Sequence, residues 1–230
     1  MKIESPAVLQ PLPQVAHDSA RPGAEIPTPM QVPAFFDAAP RIAMQDALAE
    51  TLGAAKGGII EYTYLDAVKL AGHSCPTVAG AYLMTRAALA RLYPGETPRR
   101  GELRVELRDA QEAGVVGVVA NVAALITGAA GPGGFKGLAG RHVRRGLLAF
   151  GVPMRGEMRF TRLDTGTSVE VSFRMDALPR TPTLTALMHA ALAPNAAAVA
   201  RSAFAQAWQE RVRAILLDHA DDPALVGVEA

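Results

Sequence analysis

Residues 72–92 read GHSCPTVAGAYLMTRAALARL and contain the chain's single cysteine, Cys75, with a histidine two positions before it and a proline directly after it. Pro76 fits the first position of a helix, where its missing N–H costs nothing. Val78, Tyr82, Leu89 and Leu92 then mark an amphipathic run that ends near Tyr93-Pro94-Gly95. The segment predicts a helix opening at Pro76, with Cys75 as its N-cap. What flanks it decides the fold class. Upstream, Ile59-Ile60-Glu61-Tyr62-Thr63-Tyr64 is rich in β-branched and aromatic residues and predicts a strand, with a short connection delivering His73. Downstream, Glu102 to Arg108 (ELRVELR) alternates polar and apolar throughout, the period of a strand with one buried and one solvated face.

Further out the pattern is mixed. RIAMQDALAETLGA, from Arg41 to Ala54, places Ile42, Met44, Ala47, Leu48 and Leu52 along one helical face before Lys56-Gly57-Gly58 stops it. GVVGVVANVAALITG predicts an apolar helix, and AAGPGGFKGLAG, with five glycines in twelve residues, predicts a loop with unusual backbone angles. Leu147 to Val152 and Glu157 to Arg162 read as strands, and SVEVSFRM from Ser168 alternates again after Asp164-Thr165-Gly166, so a hairpin is expected. TLTALMHAAL and AAAVARSAFAQAWQERVRAILLDH read as helices, the second with Val199, Ala203, Trp208, Val212, Ile215 and Leu216 near one stripe. Strands interleaved irregularly with helices favour an α+β domain: a mixed or antiparallel sheet packed by helices, with further helices at the C-terminal end. Residues 1–34 are proline-rich and predict an extended arm, leaving 35–228 as the domain.

Composition narrows the function classes. Half of the 230 residues are hydrophobic and the formal net charge is +1, which argues against a disordered acidic chain and against a nucleic-acid-binding surface. One cysteine excludes an intramolecular disulfide, and MKIESPAVLQPLPQ has no apolar core of a signal peptide, so a reducing cytoplasm is expected. The longest strongly apolar stretch, Val115 to Ile126, is roughly half of the ~20 residues that cross a bilayer, so no membrane span is expected.

The chemistry concentrates at residues 73–75. A thiolate is a nucleophile and a metal ligand, and the unpaired N–H groups of a helix start favour negative charge there. His73, on non-helical backbone two residues upstream, can share a side with Cys75, so the pair offers one nitrogen and one sulfur to an ion such as zinc. A closed zinc site takes four ligands and a catalytic one three, so His142, His189, Asp109 or Glu112 is needed from elsewhere in the fold. Asp66 and Glu61 are candidates to orient the imidazole of His73.

GHSCP followed by this helix resembles the hallmark segment of the FmdE-like family of formylmethanofuran dehydrogenase-related proteins, whose members carry a GH-x-CP element opening a helix. RVELRDAQEAGVVGVVANVAALITGAAG resembles the family's strand, apolar helix and Thr-Gly loop, and LLAFGV and QERVRAILLDHADDPALVGV are similar to its later part. The likeness covers about Phe35 to Val228. It implies a metal-binding α+β protein that pairs as a homodimer, related to an accessory component of a molybdenum or tungsten oxidoreductase, with His73 and Cys75 near the metal. Many members carry a further cysteine after the Thr-Gly; this chain reads Thr127-Gly128-Ala129, which removes a soft ligand or redox partner.

Haem is the alternative cofactor. Cys-Pro is a context for thiolate–haem contact, with Cys75 as axial ligand and His73 and His142 as further cofactor-binding candidates. Metal-assisted hydrolysis or thiol chemistry is a third class, with Glu112 acting on a bound water, and an interaction module using the proline-rich arm is a fourth. The glycine-rich loop lacks the G-K-[ST] ending of a phosphate cradle. The basic run Arg141-His142-Val143-Arg144-Arg145 reads as a solvated face, and His189, among Leu187, Met188 and Leu192, as a core histidine.

Overall fold

The computed structural model describes residues 30–179 and 182–229. The proline-rich arm lies for the most part outside them, as does His17. From Pro33 onward the chain forms one compact unit. Its elements run α1 (Phe35–Ala38), β1 (Ile42–Gln45), α2 (Ala47–Thr51), β2 (Ile59–Tyr62), α3 (Tyr64–Ala71), α4 (Pro76–Leu92), β3 (Leu103–Leu107), α5 (Val116–Thr127), β4 (Leu148–Ala149), β5 (Met158–Arg162), β6 (Ser168–Phe173), α6 (Pro182–Leu192), α7 (Ala198–Arg213) and β7 (Val226–Glu229). A π-helical turn, Ala214–Asp218, prolongs α7. The class is α+β. Among the described residues, no helix is long and apolar enough to cross a membrane.

A five-stranded sheet in the order β4-β3-β5-β6-β7 carries the core. β3 pairs parallel with the two-residue β4 and antiparallel with β5, and the remaining neighbours are antiparallel. The period-two pattern sets the faces. Val105 lies opposite Phe160, Leu107 opposite Met158, Met158 opposite Val171 and Phe160 opposite Val169, all buried. α4 crosses this apolar face over β6 and β7 while α5 lies beside it over β3. Ala88, Ala120 and Ala123, whose small side chains let helices approach closely, are consumed inside the chain and not on its surface. The opposite face is charged: Arg159 pairs with Glu170 at 2.7 Å on one neighbouring strand and with Glu106 at 3.7 Å on the other.

The first helix expected from the sequence is a correction. Arg41 to Ala54 forms the strand β1 and the short helix α2, because Ile42 and Met44 are buried at strand spacing while Ala43 and Gln45 face out, and because β2 is available as an antiparallel partner. Asp46 makes the break by accepting hydrogen bonds from Leu48 and Ala49 N–H at 2.9 and 3.1 Å, an N-cap that starts α2. The connection before His73 is likewise a helix, α3, begun by a reciprocal cap between Thr63 and Asp66. β7, too short to carry a clear alternating pattern, extends the sheet beside β6.

Asp46 also receives Arg100 at 2.8 Å and Arg144 at 2.7 Å. Arg144, expected in water with the rest of the basic run, is therefore 6% exposed, and it fastens the glycine-rich loop onto the body of the domain. Gly101 and Gly128, both at positive φ, lie flat against its guanidinium, where a Cβ on either would overlap it. Burial alone would raise the Asp46 carboxyl, but the Arg100 hydrogen bond, the Ala49 N–H and the Arg144 charge outweigh it and hold the group below its ordinary range. Its stabilising effect is thus present above the unfolded carboxylate pKa of about 3.9 and is lost as pH falls through the folded value. Asp46→Asn leaves two guanidinium groups without their counter-charge and is expected to cost ~3–5 kcal/mol. Urea unfolding at neutral pH measures that loss, and the gap between variant and parent should shrink as the pH is lowered below about 4.

Candidate functional site

α4 begins where the sequence places it. Pro76 occupies its first turn, Cys75 is the N-cap with extended backbone, and the Cys75 Sγ accepts the Val78 N–H at 3.5 Å. The thiol is 8% exposed. His73 stands two residues upstream and is exposed, with its Nδ1 2.9 Å from the Ala71 carbonyl oxygen. A carbonyl oxygen only accepts, so Nδ1 carries a proton, and in the neutral ring the lone pair is on Nε2. That is the tautomer a metal-bound imidazole uses when a backbone carbonyl orients it. Asp66 and Glu61 do not orient His73: Asp66 caps α3 and Glu61 pairs with Arg41 at 2.6 Å.

Between the two candidate ligands, Ser74 is held from several directions. Its Oγ donates to Gln209 Oε1 at 2.9 Å and lies 3.0 Å from the Tyr64 hydroxyl. Because the Ser74 proton goes to Gln209, Tyr64 O–H is the donor of the second bond. Burial pushes the Tyr64 phenol well above its ordinary value, partly offset by the Ser74 bond, so it keeps its proton for that purpose. The Ser74 carbonyl accepts from Trp208 Nε1 at 3.0 Å and from Gln209 Nε2 at 3.3 Å. The Tyr64 ring is in turn wedged edge-on between Phe36, at 5.0 Å, and Tyr82, at 5.9 Å. α3 and α7 therefore fix the backbone that carries His73 and Cys75.

Both residues open onto a cleft of about 330 Å³, whose remaining wall is Pro76, Thr77, Val115, Val118, Met175 and Trp208. The lining is apolar apart from an imidazole, a hydroxyl, the indole N–H and two sulfur atoms. A second cleft of about 350 Å³ shares Val115 with it and is bordered by Leu107, Asp109, Val116, Val119 and Glu157. Burial pushes the Glu157 carboxyl up, against the Phe173 N–H and Arg108, which pull it down.

Other residues singled out in the sequence lie elsewhere. His142 sits half-buried on the glycine-rich loop at φ 58° and is not part of the wall around Cys75. His189 is exposed and not in the core, and His219 pairs with Asp222 at 2.9 Å. Asp109 holds Arg108 at 3.1 Å, and Glu112 is exposed. Among the described residues, no three side chains drawn from His, Cys, Asp and Glu converge on one point. Zinc takes three or four donors, and among the described residues no further His, Cys, Asp or Glu joins His73 and Cys75. Ser74 lies inside GHSCP, but Tyr64, Met175, Trp208 and Gln209 join the site without any motif to mark them. Gln209 is 135 positions from Ser74, and no local pattern announces such a pairing.

In the comparisons with known proteins, no family model and no curated protein matches this sequence.

Gln209→Leu removes two bonds to Ser74 while Trp208 and Tyr64 retain theirs. It should cost ~1 kcal/mol, a fall of about 2–4 °C in Tm. The same variant should be labelled at Cys75 faster by a thiol reagent than the parent, as followed by mass spectrometry; unchanged labelling would mean that the clamp does not govern access to the sulfur.

Proposed function

We propose that this protein binds a metal ion through His73 and Cys75 and belongs with the metal-binding proteins of the FmdE-like group. The observation that carries the reading is the state of His73: its Nδ1–H is spent on the Ala71 carbonyl, which leaves Nε2 as a free donor beside a cysteine at a helix start. A merely structural N-cap does not need a neighbouring imidazole held in that tautomer. The Ser74 clamp supports the same reading, since a ligand pair on fixed backbone loses little entropy when the ion arrives. Zinc, the ion expected from the sequence, takes two ligands from this chain and draws the rest of its shell from outside it. The likeness of GHSCP and the helix after it to that family also motivates a cytoplasmic homodimer that serves an oxidoreductase partner. Leu192 and Val199, 74% and 75% exposed at the end of α6 and the start of α7, offer apolar surface for association.

The test is elemental analysis of the purified protein beside His73→Ala and Cys75→Ala. Each variant should lose most of the bound metal and keep the circular dichroism and Tm of the parent, because the large core rather than the ion holds the domain together. Full metal occupancy in either variant removes that residue from the site. A thiolate–haem contact at Cys75 is the second reading, favoured by the apolar walls that Val115, Val118 and Trp208 give the cleft. It requires a Soret band that disappears in Cys75→Ala.

A further inference from the structure

The cleft that receives Cys75 and His73 has one more donor, contributed by a distant part of the chain. Met175 follows β6 in a short 3₁₀ turn, Met175–Ala177, and borders the same cleft, 100 positions along the chain from Cys75. Its side chain is half-exposed and so is not locked into the core. A thioether on three rotatable bonds is an adaptable soft ligand. The potential donors on the wall are therefore the Cys75 sulfur, a thioether, an imidazole nitrogen and the Thr77 hydroxyl, with no carboxylate among them. Zinc draws its ligands from cysteine, histidine and carboxylates, whereas thiolate and thioether together select soft monovalent copper. Val115, Val118, Pro76 and Trp208 line the rest of the wall, a surrounding that suits an ion of low charge better than a divalent one.

We infer that the site, resting on the metal-binding reading above, takes a soft monovalent ion of the copper(I) class, held by Cys75 Sγ, His73 Nε2 and the Met175 thioether. No carboxylate of the cleft wall is available to build a harder shell. Trp208 reports the event, since it is the only tryptophan of the chain and stands on the same wall.

The experiment titrates the full chain anaerobically with copper(I) buffered by a chromogenic chelator, with silver(I) as a redox-inert second probe and zinc as the comparison, reading chelator absorbance and Trp208 fluorescence. One equivalent of copper(I) or silver(I) is expected to bind and quench the indole. Met175→Leu, a volume-conserving change that leaves the fold intact, should weaken copper(I) binding by at least about tenfold while zinc binding stays as in the parent. If copper(I) affinity is unmoved in Met175→Leu, or if zinc displaces copper(I) at equal concentration, the inference is overturned, and the His73 and Cys75 reading stands. If no ion binds the parent protein, or if binding survives intact in Cys75→Ala, both fall.

Discussion

One buried carboxylate, Asp46, connects three parts of the chain that are far apart in sequence. Its Oδ1 ends β1 by capping α2, and its two oxygens receive Arg100 from the segment entering β3 and Arg144 from the glycine-rich loop. At 3% exposure this arrangement is tolerable only because both oxygens of the carboxylate are matched by donors. The guanidinium groups need the glycines around them. A side chain at position 101 or 128 would displace Arg144 from its anion, so the loop, the strand and the cap stand or fall together.

That node holds one end of the domain; the Ser74 clamp organises the other. β2 leads directly into α3, and α3 turns into the His73–Cys75 segment, which lies under α7. The hydrogen bonds converge on the backbone and hydroxyl of Ser74, while the Cys75 sulfur caps α4 by accepting the Val78 N–H. The aromatic column of Phe36, Tyr64 and Tyr82 transmits the same rigidity downward: Tyr82 donates to the carbonyls of Pro40 and Tyr62, tying β1 and β2 to the floor of the site.

Chemistry at the cleft then follows from what surrounds the sulfur. Two donors lie on one short segment, one further soft donor comes from the end of β6, and the walls are aliphatic and aromatic. No carboxylate stands on this wall, and the Trp208 indole forms part of it. The neighbouring cleft with Glu157 lies across Val115, at the exposed start of α5, so the two cavities share a wall that belongs to the N-terminal end of a helix.

Local signals in the sequence determined whatever depends on neighbours in the chain. Pro76 at a helix start makes Cys75 the cap whatever surrounds it. The alternation of Leu103 to Leu107 and of Val169 and Val171 commits those segments to a half-buried sheet, and the largely apolar run of Val116 to Thr127, with Asn121 facing out, is a helix of the core. Ile42 to Leu52 reads as a helix, because apolar residues at positions 42, 44, 47, 48 and 52 fit a helix face; the antiparallel pairing with β2 overturns that reading for Ile42 to Gln45. Only the tertiary structure decided that Arg144 is buried while its neighbours are exposed, that Gln209 and Trp208 hold Ser74, and that Met175 shares a wall with Cys75. These are contacts between side chains 98 to 135 residues apart, for Arg144 with Asp46 and for Ser74 with α7, and no period along the chain encodes them. They exist because the sheet order and the helices laid across it bring those positions together, where the buried Asp46 carboxylate meets Arg100 and Arg144 and the Ser74 carbonyl meets Trp208 and Gln209.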